Sequence, residues 1–385
     1  MNFAFPEPPE GADLLIRAAT AAKEDAGAAW TAWAKGRDLA HIDASSFALL
    51  ATVYSRLRGS GALGAEESRL AGIWRWSWAR NELTLRAAAR VLALFSSAGV
   101  PCVALKGLPL LLLCHGDRGA RVMFDADLLV PEDRLADAWR ILREDGWTPK
   151  HADPPPRVRP FLHAVPFTHT SGAAIDLHWK PLPFEGTPGA WEGVRARAVP
   201  GTVNGTPALF PDPVDLALLA VAHGLRPDPH AALRWVVDLV ALLRSRDGRF
   251  DWAALHARAG AWGIGAAARR SLRWACLMTA ALPPEAAPDG PDPDRDEQRL
   301  LAFLFRHGDP RRTAAQVVAD QWWNFRRVAR TRSLPAGPCA FAGTVLATYR
   351  TIWGTRGLCS TVTRAVRRAF LGPPPEALKS VPAAP

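Results

Sequence analysis

The chain has 385 residues, of which 49% are hydrophobic and 22% charged, a composition of folded globular proteins with room for two or three packing units of about 150 residues each. Its longest apolar run, Leu108 to Cys114, falls far short of the roughly 18 residues that a membrane span needs, and the first ten residues carry two carboxylates and three prolines in place of a cationic start and apolar run, so a cytoplasmic location is expected. Five scattered cysteines, Cys102, Cys114, Cys276, Cys339 and Cys359, show no Cys-x-x-Cys spacing, which argues against both a disulfide framework and a thiolate zinc site. The formal charge of +10 is uneven: from residue 301 onward there are thirteen basic and three acidic residues, and the first 300 residues balance. A basic C-terminal region attracts anionic partners without choosing among them.

From Gly11 to Ala98 apolar residues recur at helical spacing, as in Leu83, Leu85, Ala88, Val91, Leu92 and Phe95, which predicts a helical section. Gly99 ends it, and Val100 to Leu105 reads as a short buried strand. A short helix over Leu108 to Cys114, a Gly/Arg loop from His115 to Val122 and a second strand from Phe124 to Val130 follow. Pro131 with Glu132 and Asp133 opens a further helix, which Gly146 stops. Two alternating runs, Ala164 to Thr170 and Ala174 to Lys180, flank Ser171-Gly172, and a second hairpin turns at Asn204-Gly205. Segments 215–243 and 252–282 read as amphipathic helices, 283–294 as a Pro/Asp/Gly linker, 296–372 as helical, and 373–385 as a loose tail. The sixteen tryptophans are expected mainly within helix-packed cores.

Chemistry concentrates in three places: Val103-Ala-Leu-Lys-Gly107, Asp125-Ala-Asp-Leu-Leu-Val130 and Ile175-Asp-Leu-His178. Side chains alternate along a strand, so Asp125 and Asp127 are expected on one face with Phe124, Ala126 and Leu128 on the other. By the same rule Asp176 and His178 share a face opposite Ile175, Leu177 and Trp179. If the two strands are neighbours, three carboxylates meet, and such a cluster repels itself unless a hard cation neutralises it. A single Asp-x-Asp is more often a capped strand end or an arginine partner. The whole series of strand, Lys-Gly turn, helix, Asp-x-Asp strand, helix and Asp-bearing hairpin carries the functional reading. Signatures of serine hydrolases, P-loop enzymes and zinc proteases are absent from the sequence, and His163 and His169 fit no zinc spacing.

This order resembles the nucleotidyltransferase superfamily related to DNA polymerase β, and within it a bacterial family of uncharacterised nucleotidyltransferases. The match rests on Leu105-Lys-Gly107, Arg121 followed by Asp125-x-Asp-Leu-Leu-Val130, Gly146-Trp147, Ile175-Asp-Leu-His-Trp179, His223 and Arg234-Trp235-x-x-Asp238, and covers roughly residues 45 to 285. The resemblance implies an α/β (α+β) core with a small mixed sheet flanked by N- and C-terminal helical sections. It implies Asp125 and Asp127 as ligands of Mg²⁺ or Mn²⁺, with Asp176 as third carboxylate activating the acceptor. Lys106, Gly107 and Arg121 would meet the triphosphate, and His178 would orient Asp176 or touch the acceptor. Where many superfamily members have Gly-Gly or Gly-Ser after the first strand, this chain has Lys106-Gly107-Leu108.

The expected divisions are a helical section over 1–83, a nucleotidyltransferase core over 84–210, a helical section over 211–283 packed on it, and a linker, basic helical region and tail over 284–385. The expected activity is Mg²⁺-dependent transfer of a nucleoside monophosphate from an NTP to a hydroxyl or phosphate of a small-molecule, peptide or sugar acceptor. The competing expectation is a catalytically degenerate scaffold whose basic C-terminal region, including Arg326-Arg327 and Arg367-Arg368, docks RNA or an acidic partner in a salt-dependent way.

Overall fold

Among the described residues four α-helices precede the first strand: α1 (Ala12–Thr20), α2 (Lys23–Ala34), α3 (Ala44–Leu57) and α4 (Glu67–Ser97). The computed structural model describes residues 9–182, 189–225, 233–290, 293–306, 313–348 and 350–352. Asp43 caps α3 by accepting from the backbone N–H groups of Ser45 and Ser46, which satisfies donors that a helix start leaves open. The long α4 presents Leu85, Ala88, Val91, Leu92 and Phe95 to the main hydrophobic cluster.

Strand β1 (Val103–Leu105) leads into a short helix, α5 (Gly107–Pro109), that widens into a π-helical turn over Leu110–His115. Then come β2 (Ala126–Leu129), α6 (Leu135–Glu144), β3 (Thr148–Pro149), β4 (Ala164–Thr168) and β5 (Ala174–His178). The sheet order is β1-β2-β5-β4-β3, with β2 and β5 parallel and every other neighbouring pair antiparallel. The small mixed sheet with flanking helices is therefore present. The short edge strand β3 carries no sequence signal beyond its place after Gly146-Trp147.

Both hairpins form. Gly172, at φ 85°, sits between β4 and β5, and Asn204 and Gly205, at φ 47° and 82°, join β6 (Val199–Val203) to β7 (Thr206–Phe210), since two successive positive φ values define the turn that matches strand twist. Ala126, Leu128, Ile175, Leu177 and Trp179 all enter the hydrophobic cluster, as alternation requires. Phe124 does not: it precedes the first paired residue, and its ring lies half-buried near Trp76, at 6.3 Å between centroids.

After α7 (Ala190–Arg197) and the second hairpin, α8 (Pro213–Gly224) and α9 (Arg234–Arg244) occupy the first amphipathic segment, and α10 (Trp252–Ala261) and α11 (Gly265–Met278) the second. The linker holds a 3₁₀ turn at Pro284–Ala286, and α12 (Arg295–Arg306) follows it. Trp30, Trp33, Trp139, Trp147, Trp179, Trp235 and Trp262 are buried, whereas Trp76 and Trp78 depart from the expectation, both being more than 40% exposed on α4. Among the described residues the four cysteines are unpaired, Cys359 lies outside them, and no helix is long and apolar enough to cross a membrane.

The chain divides into two compact units, Met1–Lys150 with Leu162–Asp309, and His151–Phe161 with Pro310–Pro385. The second contains α13 (Ala314–Thr331), opened by a capping box between Thr313 and Gln316. Phe325 there stacks on Phe161 at 5.2 Å and meets Phe341 at 5.3 Å. Arg326 and Arg327 each lie over a tryptophan ring, Trp322 and Trp323, and Arg367-Arg368 and the expected tail fall outside the described residues.

Candidate functional site

The register of the sheet places the carboxylates. Leu105 of β1 pairs with Asp127 of β2, and Asp127 pairs with Asp176 of β5 across the parallel ladder. Opposed residues on neighbouring strands point to the same face, so Asp127 and Asp176 stand side by side, and His178 follows two residues on from Asp176. Ligand atoms of Asp127, Asp176 and His178 lie within 4.8 Å of one another. Asp125 is outside that cluster because it precedes the first paired residue of β2, yet it lines the same cavity, of about 250 Å³, as Asp127 and Asp176. His163 and His169 take no part in the cluster.

Three cations line that cavity as well: Lys106, Arg121 and Arg234. Lys106 is the turn residue between β1 and α5 and adopts φ 48°, a left-handed conformation that costs a side-chain-bearing residue about 1–3 kcal/mol and persists only where the surroundings enforce it. Its Nζ lies 2.5 Å from Asp127 Oδ1 and 3.4 Å from His178 Nε2. Gly107 follows for steric reasons, since a Cβ there would sit 3.0 Å from Arg121 Nη1 and 3.1 Å from Met123 Sδ.

Electrostatics separate the two carboxylates of Asp-x-Asp. Burial alone would raise the Asp127 carboxyl, but the Lys106 charge and the His178 hydrogen bond overcome it and hold it far below the usual range. Asp125 is driven the other way, by burial and by the negative charge of Asp127, with Lys106 only partly offsetting them. Burial and the Lys106 charge lower the pKa of His178, whose Nε2 lies 2.8 Å from Asp127 Oδ1 while Nδ1 faces Lys180 O at 3.3 Å, so its hydrogen bond falls on Asp127 and not, as expected, on Asp176. His178 thus orients Asp127.

Two of the three Arg121 nitrogens are engaged by Asp238 of α9. Nε and Nη2 donate to the two oxygens of Asp238 at 2.8 and 2.9 Å, and His115 Nε2 contacts the same carboxylate at 3.1 Å. The fork docks α9 against the Gly/Arg loop while leaving Nη1 toward Gly107. That loop is held by its carbonyls. Asn81 of α4 donates to Arg118 O and Arg121 O and accepts from Met123 N–H; Arg80 donates to Met123 O and Phe124 O; Arg234 donates to Val122 O.

Asn81 and Arg80 escaped the reading of the sequence. The sequence signal for Asn81 is an asparagine inside a helical run, where its propensity is poor; Arg80 carries none. Arg234, which the sequence marks only as part of the Arg234-Trp235-x-x-Asp238 motif, joins the cavity lining beside His223.

The donor set suits a hard divalent cation. Asp127 and Asp176 offer oxygen ligands, and Asp125 supplies a third carboxylate on the same cavity, the chemistry that Mg²⁺ and Mn²⁺ prefer. The positive wall of Lys106, Arg121 and Arg234 suits an anionic, phosphate-bearing ligand in the same space.

No curated protein matches the chain. The family described as uncharacterised nucleotidyltransferase matches residues 44–280, a stretch that runs from α3 to just beyond α11 and contains every residue of the cavity. Carboxylates, cations and the elements that position them all fall inside that match, which spans more than half of the chain; the protein belongs to the uncharacterised nucleotidyltransferase family.

Proposed function

We propose that this protein transfers a nucleoside monophosphate from an NTP to a hydroxyl or phosphate of a small-molecule, peptide or sugar acceptor, in the cavity between β1, β2, β5 and α9. The observation that carries the reading is the register of Asp127 against Asp176 on two parallel neighbouring strands, facing a wall of three cations. Asp127 and Asp176, with Asp125 beside them, would hold Mg²⁺. When bound, a divalent cation there offsets triphosphate charge and acidifies the attacking hydroxyl.

The chain's own residues do the rest. Lys106 and His178 keep Asp127 ionised and fixed. Lys106, Arg234 and Arg121 Nη1 face the phosphates; Arg121, anchored by Asp238, contributes a fixed charge, whereas Lys106 contributes a flexible point charge. Asp176 takes the proton from the acceptor hydroxyl. The acceptor oxygen then bonds to the α-phosphorus, the bond between that phosphorus and its bridging oxygen breaks, and pyrophosphate leaves.

The test uses the full-length protein with each of four α-³²P-labelled NTPs, Mg²⁺ and a small-molecule and peptide extract as acceptor source. Label should move from one NTP into a new species with wild type, and not with Asp127→Asn or Asp176→Asn. Equal labelling by the variants overturns the assignment.

A further inference from the structure

Away from the proposed catalytic carboxylates, two guanidinium groups converge on one end of a helix. Arg56, near the C-terminus of α3, donates through Nη2 to Ala21 O, and Arg244, the last residue of α9, donates through Nη2 to Thr20 O. Both therefore converge on the C-terminal end of α1. Among the described residues neither has a carboxylate within ion-pair distance, and Arg56 Nε is buried without a hydrogen-bond partner.

Charge does not balance there. A helix C-terminus presents about half of one negative charge, while the two side chains bring two full positive charges. Burial disfavours both guanidinium ions, and for Arg56 the neighbouring Arg244 adds direct repulsion. An anion would relieve the burial cost and the repulsion together.

Space exists for one. Arg56 and Arg244 line a cavity of about 100 Å³ with Thr52, Ser55, Cys114 and His115. Arg244 also borders a wider recess of about 560 Å³ whose lining includes Arg17, Thr279 and the carboxylate of Asp25. The small cavity lies on the far side of the His115–Asp238–Arg121 chain from the carboxylate cavity, since His115 lines one and Arg121 the other.

We infer that Arg56 and Arg244 form a second anion site that binds a compact oxyanion, phosphate or the phosphate group of a larger ligand, independent of the nucleotide site. Planar guanidinium forks match the oxygens of a phosphate, and the open recess beside Arg244 accommodates the remainder of a phosphorylated molecule. The site does not depend on the transfer reaction proposed above.

Metal-free full-length protein is titrated with inorganic phosphate and, separately, ribose 5-phosphate, with sodium chloride matching ionic strength throughout. Thermal stability and ³¹P line width are read for wild type, Arg56→Met, Arg244→Met, Arg244→Lys and Lys106→Met. Wild type and Lys106→Met should show the same saturable stabilisation, and the arginine variants should bind about tenfold or more weakly. Tighter binding of ribose 5-phosphate identifies the larger ligand; equal binding identifies free phosphate. Loss in Lys106→Met with retention in Arg244→Lys would overturn the inference by moving the anion to the carboxylate cavity. Absence of saturable ³¹P broadening in wild type would overturn it without reference to any variant that fails to fold.

Discussion

Asp127 and Asp238 are both buried carboxylates with a basic residue and a histidine beside them, and they are held in opposite ways. Arg121 grips both oxygens of Asp238 with a planar fork, and His115 adds a third contact. Around Asp127, Lys106 and His178 both fall on Oδ1, and the group borders an open cavity. A fork that spans two elements is a clamp with nothing left to exchange. A lysine ammonium on one oxygen is a counterion that a stronger cation displaces. The comparison separates a carboxylate used for assembly from one available for chemistry, although the two lie in the same motif-bearing part of the chain.

The largest effect that would break this distinction is on turnover. Asp127→Asn should lower label transfer by about 10³-fold or more, because the charge that receives the cation is gone, while circular dichroism and thermal unfolding stay near wild type. A variant that unfolds instead would make Asp127 a structural residue like Asp238. Next in size, Asp238→Asn should cost about 3 kcal/mol of unfolding free energy by leaving the buried Arg121 without its counter-charge. Arg121→Met combined with Asp238→Leu should recover more than half of that loss in urea denaturation.

A smaller effect follows from pH. The Arg121 charge and the hydrogen bonds to Asp238 overcome burial and hold its carboxyl far below the ordinary carboxylate value. A depressed folded-state value stabilises the protein above the unfolded value near 4 and ceases to do so as the pH falls below it. The stability gap between wild type and Asp238→Asn should therefore be constant from neutral pH down to about 5 and shrink below about 4. The smallest effect concerns the rim. Trp76 is 43% exposed and stands near Phe124, which lines the cavity. Trp76→Ala should change stability by less than about 1 kcal/mol and raise the concentration of NTP or acceptor needed for half-maximal transfer several-fold.

Much of the sheet was legible because its signals are local. Ser171-Gly172 and Asn204-Gly205 specify turns, and alternation correctly sorted Ala126, Leu128, Ile175 and Leu177 into the core. The site was legible only conditionally: alternation puts Asp127 and Asp176 on faces, but their meeting depends on β2 and β5 being neighbours, a pairing between residues 49 positions apart that no local signal encodes. Phe124 departed from strict alternation because the ladder begins at Ala126, whereas Asp125 lines the same cavity as Asp127. The engagement of Arg121 by Asp238, 117 residues away, and the left-handed turn at Lys106 are products of tertiary packing. The same holds for the Arg56 and Arg244 pair, whose partners are backbone carbonyls of another helix and leave no mark in residue spacing.

The most direct measurement of the central claim is thermal unfolding of wild type, Asp127→Asn and Asp176→Asn with each of ATP, GTP, CTP and UTP, with and without Mg²⁺. A Mg²⁺-dependent stabilisation by at least one nucleotide in wild type, absent from both folded variants, is the predicted result, since a ligand that binds only the native state must raise its stability. Stabilisation that persists unchanged in Asp127→Asn and Asp176→Asn, or fails to appear with any nucleotide in wild type, would contradict the account.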